Sequence, residues 1–377
     1  MINRLFLQFY LYDSEMDEYD LVNGFSDTWD YCKNLGDFIW ISQDKIDAFY
    51  HRNIPEIKLP FSEGIVYASC QLYSQISSVI NCAKENPDVE FVIGGPAVLF
   101  DKKLSFILSN VTIFRGSVEE YFNIENFSCL WNLEIPEELK GKTIRYCYTV
   151  DTRCYWGKCS YCNLEKRINR IRPKKNLKYK FGLNSGGREF VYLTDPSITP
   201  KLLNWISNVD FDNVLFECFA RADKITKESF EKNSIDFYNL KLGVGIEYPS
   251  DRMLKIMNKG VSIKDIEDFF GFINNTNISY TLNFIVGWPQ LIEHDVFELK
   301  NSLHFFRRHN IAFTNLLAVF ADTELANAYP PPNKKMWFPI KESNKETKEL
   351  NLKSLDIINE YFNVPKTYFR SCKNKLL

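Results

Sequence analysis

"RYCYTVDTRCYWGKCSYCN", residues 145–163, joins a strand-like run to three cysteines spaced C-x4-C-x2-C, at Cys154, Cys159 and Cys162. The run RYCYTV reads as a β-strand, and the cysteines follow it directly. No histidine lies close enough in sequence to be an obvious fourth ligand. In α/β barrels the chemistry gathers on the loops at the carboxyl ends of the strands, so this position favours a reactive site over a structural one. Thiolates hold clusters of iron and sulfide, and a set of three leaves one iron with a vacant position. A closed zinc site is the structural alternative, and it requires a fourth ligand. Cys147 is the near candidate, but it lies within the strand, where the pleat fixes its direction, and four-thiolate zinc sites usually come as two C-x2-C knuckles.

Outward from this stretch the chain alternates strands and helices. Downstream, FVYLTD, VLFECFARAD, KLGVGIE, SYTLNFIVG and FTNLLAVFA read as five more strands. They are separated by segments of helical period such as LLNWISNV, DRMLKIMNK and DVFELKNSLHFFRRH. Six βα units predict a parallel barrel or part of one over residues 140–328, with YPPPNKK (329–335) closing it and a charge-rich extension over 329–377. Upstream, LFLQFYLY, GIVYASC (64–70), EFVIGGPAV (90–98) and VTIFRG (111–116) read as strands of a doubly wound α/β domain over 1–125. EIPEELKGK (134–142) reads as a linker.

Composition limits the rest. The chain has 377 residues, 45% hydrophobic and 25% charged, with a formal net charge of −2, which suits more than one globular domain and excludes a global field for nucleic acid or membranes. The stretch Lys166–Lys180 is locally basic, which a solvated loop explains. The apolar start runs into DSEMDEYD without a small-residue cleavage site, so it predicts a first strand in a cytoplasmic protein instead of a signal peptide. In a reducing compartment, Cys32, Cys82 and Cys129 read as buried apolar residues, not disulfide partners.

The three-cysteine loop after a barrel strand, with aromatic Tyr161 just before the last cysteine, resembles the radical SAM superfamily. The commonest spacing there is C-x3-C-x2-C, and the Cys154–Cys159 interval carries one more residue; a CYWGKC loop resembles variants in the peptide-modifying branches. YLTDPSIT (192–199), FARAD (219–223), LGVGIEYPSDRMLKIMNKG (242–260) and FIVGWP (284–289) resemble the second to fifth barrel strands of the superfamily. The resemblance implies a [4Fe-4S] cluster on Cys154, Cys159 and Cys162, with S-adenosylmethionine (SAM) on the open iron. It places Arg221 against the methionine carboxylate, Asp195 against the amino group or the ribose, and Glu247 at the ribose hydroxyls. Gly287 would lie along the adenine, with Tyr161 near its ring. Each of these residues also has an ordinary reading: Asp195 as a helix cap, Arg221 in an ion pair, the glycines as turns.

Residues 64–98 and FRGSVEEYF (114–122) resemble the second half of the cobalamin-binding, Rossmann-like domain that precedes some radical SAM barrels. The D-x-H-x-x-G loop often found after the first strand of that domain is replaced by DSEMDEYDLVNGF, without a histidine, and His51 reads as a surface residue. Some relatives bind the corrinoid without that ligand, so cobalamin is carried as possible but not favoured.

Cys372, six residues from the end in TYFRSCKNKLL, reads as an exposed thiol in a basic neighbourhood. The pattern resembles radical SAM peptide epimerases, in which a non-cluster cysteine gives a hydrogen atom to the inverted carbon; a tail cysteine of no special role is the plain alternative. Cys218, on the third barrel strand, is a second candidate. The fold expectation is therefore an N-terminal Rossmann-like domain followed by a partial (β/α)6 radical SAM barrel. The leading functional expectation is a 5′-deoxyadenosyl radical that epimerises a ribosomally made peptide, fed by a flavodoxin or ferredoxin. Cobalamin-dependent C-methylation stands second, tRNA modification third, and a non-enzymatic metal-binding protein is the alternative from another class.

Overall fold

A computed structural model of the chain describes residues 2–14, 17–21, 29–95, 97–98, 105, 108–116, 118–124, 135–148, 154–162, 189–193, 195–207, 215–233, 239–320, 323–330, 337–339 and 344–376. The basic stretch at 166–180 and Cys129 lie outside these residues. The chain divides into two compact units, one of residues 1–149, 173–192 and 210–214, the other of 150–172, 193–209 and 215–377.

The first unit is organised on β1 (Arg4–Asp13), whose apolar run is buried on both faces. Leu5, Leu7 and Phe9 join a core with Val66, Val79, Phe91 and Ile93, while Phe6 packs on the opposite face with Cys32 and Tyr67. Continuous apolar runs of this kind mark strands covered on both sides. After β1 the chain turns back into β2 (Glu18–Leu21), antiparallel to β1 from Tyr10↔Leu21 to Asp13↔Glu18. Then β3 (Asp37–Asp44), β4 (Gly64–Ser69), β5 (Val89–Gly94) and β6 (Val111–Ile113) follow. β3 and β4 both run parallel to β1, and β4, β5 and β6 pair parallel in turn. The helix Tyr73–Glu85 connects β4 to β5 and buries Ile76, Val79 and Ile80.

Two features of this unit depart from the sequence expectation. The alternation Glu18–Leu21 is too short to announce a strand, yet it pairs with β1 on one side and, parallel, with β7 (Thr143–Tyr148) on the other. The strand that opens the barrel series is thus laddered onto the hairpin, with β8 (Glu189–Leu193) beside it. The acidic hairpin is neutralised at close range: the Lys45 ammonium lies 3.0 Å from Asp20 and 3.4 Å from Asp13. The Arg145 guanidinium lies 3.3 Å from Asp20 and 3.4 Å from Glu18.

In the second unit, β9 (Leu215–Arg221), β10 (Leu240–Glu247), β11 (Ser279–Val286) and β12 (Ala312–Leu316) pair parallel in order, each following a βα step. The first three match the predicted strands closely. FTNLLAVFA is split: its second half forms β13 (Ala318–Phe320), antiparallel to β14 (Trp337–Pro339). Helices Lys345–Tyr361 and Lys366–Leu376 pack into this unit through buried Leu350, Leu355 and Ile358 and through Cys372. No helix among the described residues is long and apolar enough to cross a membrane.

Candidate functional site

The cysteine loop is held by the turn that follows the fourth barrel strand. Helix Asp251–Ile256, capped by Ser250, ends in Met257–Gly260. Onto this turn Ser160 donates twice, from its amide to Met257 O (2.9 Å) and from its hydroxyl to Ile256 O (3.1 Å). Trp156 Nε1 donates to Asn258 O at 2.7 Å. Gly260 has φ +69°, a conformation that favours glycine. A β-carbon there would stand 2.1 Å from the Trp156 ring. The loop itself turns at Gly157 (φ +62°), and the Cys162 amide bonds Cys159 O at 3.2 Å. The other flank is fixed by the Leu325 amide on Ser160 O at 3.0 Å.

Arg221, at the end of β9, lies beneath this loop and is buried. Its Nε donates to Asp223 Oδ2 at 2.9 Å, one Nη donates to Lys259 O, and the other lies 4.0 Å from Cys159 Sγ. The Tyr155 hydroxyl donates to the same Asp223 oxygen at 2.6 Å, and the other Asp223 oxygen accepts from the Thr226 amide. The guanidinium also faces the rings of Tyr155 and Trp156 at 5.7 and 5.5 Å. Much of its donor capacity is therefore taken up in binding the loop to the barrel.

The second cation was not singled out in the sequence. Lys259 is buried, and its ammonium donates to Glu247 Oε1 at 2.6 Å. Glu247 closes β10 with φ +61°, rare for a side-chain-bearing residue, and the β10–β11 register shifts there. Gly245 makes the room, since a β-carbon on it would come 2.6 Å from that carboxylate oxygen. Backbone strain of this kind concentrates at functional sites. Burial pushes the Cys159 thiol up from its ordinary value, and the Lys259 and Arg221 charges oppose that shift. Burial likewise drives the Tyr161 phenol well up, with Glu247 and the neighbouring thiols adding to it.

Tyr161 meets Trp288 edge-on, with ring centroids 5.7 Å apart and planes at 87°. Trp288 follows Gly287 (φ +91°) at the end of β11. The structure thus gathers Arg221, Glu247 and Tyr161 around Cys159, and brings Gly287 to Tyr161 through the Trp288 ring. Asp195 is buried, and its charge bears on the thiol of Cys218. At the start of the next helix the Leu202 amide donates to Thr199 Oγ1 at 3.1 Å. Cys32, Cys82 and Cys218 are buried, as small apolar residues should be, and His51 is exposed.

Cys372 is corrected. It is 1% exposed on the last helix and its thiol donates to Thr314 O at 3.2 Å. Arg370, two residues before it, is exposed, while the amphipathic helix turns Cys372 and Leu376 inward.

Two buried cations, Arg221 and Lys259, stand beside Cys159 on the three-thiol loop, a charge balance that fits an anionic cluster. In the first unit, a pocket opens at the carboxyl ends of β4, β5 and β6, where Ser69, Gly94, Gly95 and Gly116 keep its wall low and Tyr67 and Phe114 make it aromatic. The loop that would supply a histidine to a corrinoid is the β1–β2 hairpin instead.

No protein-family model matches the chain. The ribosomal protein uS12 methylthiotransferase RimO of Fervidobacterium nodosum is 24% identical over 194 residues, 47% of this chain and 44% of that protein. The chain thus matches less than half the length of this curated relative. The radical SAM methyltransferase TsrM of Kitasatospora setae, solved with cobalamin and a [4Fe-4S] cluster, superposes with a TM-score of 0.50 at 12% identity, covering 86% of this chain and 74% of that one. The cobalamin-dependent radical SAM enzyme OxsB, solved with aqua-cobalamin, matches with a TM-score of 0.48 at 12% identity over 96% of this chain and 56% of that one. The similarity to TsrM is one of fold, an α/β architecture shared over most of both chains.

Proposed function

We propose that this chain is a radical SAM enzyme that transfers a methyl-bearing group to a carbon of its substrate. The observation that carries the reading is the cysteine loop strapped onto the Met257–Gly260 turn, with buried Arg221 and Lys259 beside Cys159. A reduced cluster bound there supplies the electron that cleaves the sulfonium of SAM. The protein's own part is to hold and orient. Cys154, Cys159 and Cys162 bind the irons, Arg221 fastens the loop, and the strained Glu247 presents its carboxylate toward the ribose. Lys259 is the better-placed cation for the methionine carboxylate, because its one hydrogen bond to Glu247 leaves two N–H groups to give. Buried Asp195 is assigned to the amino group, and Gly287 and Tyr161 to the adenine.

Methyl transfer now stands ahead of epimerisation. The names of both relatives describe transfer of a methyl or methylthio group, and the thiol that motivated inversion is buried. Cobalamin as the second cofactor rests on the likeness in fold to TsrM, which was solved with cobalamin bound. A ribosomally made peptide as substrate and a flavodoxin- or ferredoxin-type donor complete the proposal, resting on the likeness of the CYWGKC loop to peptide-modifying enzymes.

Anaerobic reconstitution of the full chain tests it. The expected result is about four irons per chain with a spectrum altered by SAM, stoichiometric uptake of hydroxocobalamin, and formation of both S-adenosylhomocysteine and 5′-deoxyadenosine. Stoichiometric zinc without a response to SAM overturns the reading. Release of 5′-deoxyadenosine alone, with solvent hydrogen entering a peptide at unchanged mass, returns epimerisation to first place.

A further inference from the structure

Asn351 lies on helix Lys345–Tyr361, in the charge-rich segment that follows the barrel strands, and is completely buried. Its amide is fully engaged. Oδ1 accepts from the Gly287 amide at 2.6 Å and the Trp288 amide at 3.1 Å. Nδ2 donates to Trp288 O at 3.0 Å and to Thr347 O at 2.9 Å. Two amides just past the end of β11 and the carbonyl between them and Pro289 thus find their partners in one side chain. The carbonyl of Thr347 belongs to the same helix, so the donor bond to it fixes the orientation of the asparagine amide.

The turn needs such a clamp. Gly287 sits at φ +91°, and a β-carbon there would meet Leu316 at 2.9 Å, so the backbone is confined on one side by packing and on the other by Asn351. Trp288 is fully buried, with its indole N–H on Ile285 O at 2.9 Å, and its ring edge-on to Tyr161. Tyr161 lies between Cys159 and Cys162 in the chain. A displacement of the 287–288 backbone moves the indole, and the indole has no slack against the Tyr161 ring.

We propose that Asn351 is a positioning residue for the cofactor site, holding the Gly287–Trp288 turn so that the Trp288 and Tyr161 rings set the shape of the surface on which the adenine rests. The assignment rests on the proposed radical SAM function for its cofactor half, while the pinning of the turn stands apart from it. It makes the helix Lys345–Tyr361 part of the cofactor site through this one amide.

The experiment uses the full reconstituted chain in four forms: unaltered, Asn351→Ala, Asn351→Asp and Leu355→Ala. Leu355 is fully buried on the same helix and serves as the control for loss of helix packing alone. SAM dissociation constants are read from the cluster spectrum, and protection of the 287–288 amides from hydrogen exchange by mass spectrometry. Alanine at 351 is expected to weaken SAM at least about tenfold, ~1.4 kcal/mol, and to abolish protection of the two amides, at unchanged iron content. Aspartate keeps the acceptor and loses the donor, so it should fall between alanine and the unaltered chain. Leu355→Ala should lower the unfolding temperature and leave both readouts alone. Should the alanine chain not fold, the aspartate chain against Leu355→Ala decides. Unchanged affinity and protection in the 351 variants, or an equal loss in Leu355→Ala, overturns the proposal. If the unaltered chain has the protected turn and binds no SAM, the functional reading fails and the cofactor half with it, while the exchange data still judge the clamp.

Discussion

The Trp156 indole covers Gly260 so closely that a β-carbon at 260 would stand 2.1 Å from the ring, while the indole N–H is tied 2.7 Å from Asn258 O on the same turn. The cysteine loop is thereby seated on backbone, and the seat exists only because residue 260 has no side chain.

Gly260→Ala should therefore unseat the loop. The left-handed backbone alone costs about 1–2 kcal/mol, and the ring cannot retreat without losing its hydrogen bond. Iron and sulfide content after reconstitution should fall well below that of the unaltered chain while the secondary structure persists. Full iron content in the alanine variant would show that the loop finds its place without this contact.

Lys259→Met should leave the Glu247 carboxylate without its counter-ion, and breaking a buried pair from one side costs about 3–5 kcal/mol. The pair is buried enough for that figure to apply, with 5% and 14% of the two side chains exposed. Adding Glu247→Gln to Lys259→Met should restore much of the stability and none of the SAM affinity. Recovery of both together would assign the lysine to folding alone.

Cys372→Ala should cost about 1 kcal/mol for the small cavity and lost contact, and should leave turnover unaltered. In the native chain the thiol should resist iodoacetamide, since it is buried against Thr314 O. Product formed in deuterium oxide should carry no solvent deuterium that depends on this residue. Rapid native alkylation, or deuterium incorporation that vanishes in the alanine variant, restores the thiol to the chemistry.

Asp295 gives the fold an acid-sensitive joint. Burial would raise its carboxyl, but hydrogen bonds from Arg252, Ser250 and the Ile292 amide outweigh that and hold it below the ordinary value of 3.8. A depressed folded-state value means stability that is whole above the unfolded value and is lost as pH falls through the folded one. The stability gap between the unaltered chain and Asp295→Asn should be constant from neutral pH to about 5 and close below about 4. A gap that stays open at pH 2 would assign the loss to packing instead of charge.

The central strands were legible because GIVYAS, EFVIG, KLGVGIE and SYTLNFIV are buried runs whose apolar content is decided by the sheet itself. β2 was hidden because its four residues carry two acids, and only Lys45 and Arg145, distant in sequence, make them tolerable in a ladder. In the site, Arg221, Glu247 and Gly287 stand at strand ends and so could be named from the motif. Lys259 sits twelve residues past its partner, beyond a helix, where only the turn geometry reveals it. Asn351 is harder still, since an asparagine in a helix carries no local sign of what its amide will meet. Cys372 misled because charge in the neighbouring residues was read as exposure, while a helix alternates its faces within a single turn.

The pairing of β2 with β7, Glu18↔Thr143 to Leu21↔Tyr146, bears on how such a chain could be cut, swapped or inherited. A division placed in the composition break near residues 125–140 would part β7 from β2 and leave a raw sheet edge on each fragment, the acidic one at β2. The N-terminal part is therefore no detachable cassette. Recombination between relatives would have to carry residues 18–21 and 143–148 together, so the two stretches are expected to behave as one heritable unit despite the hundred and more residues between them.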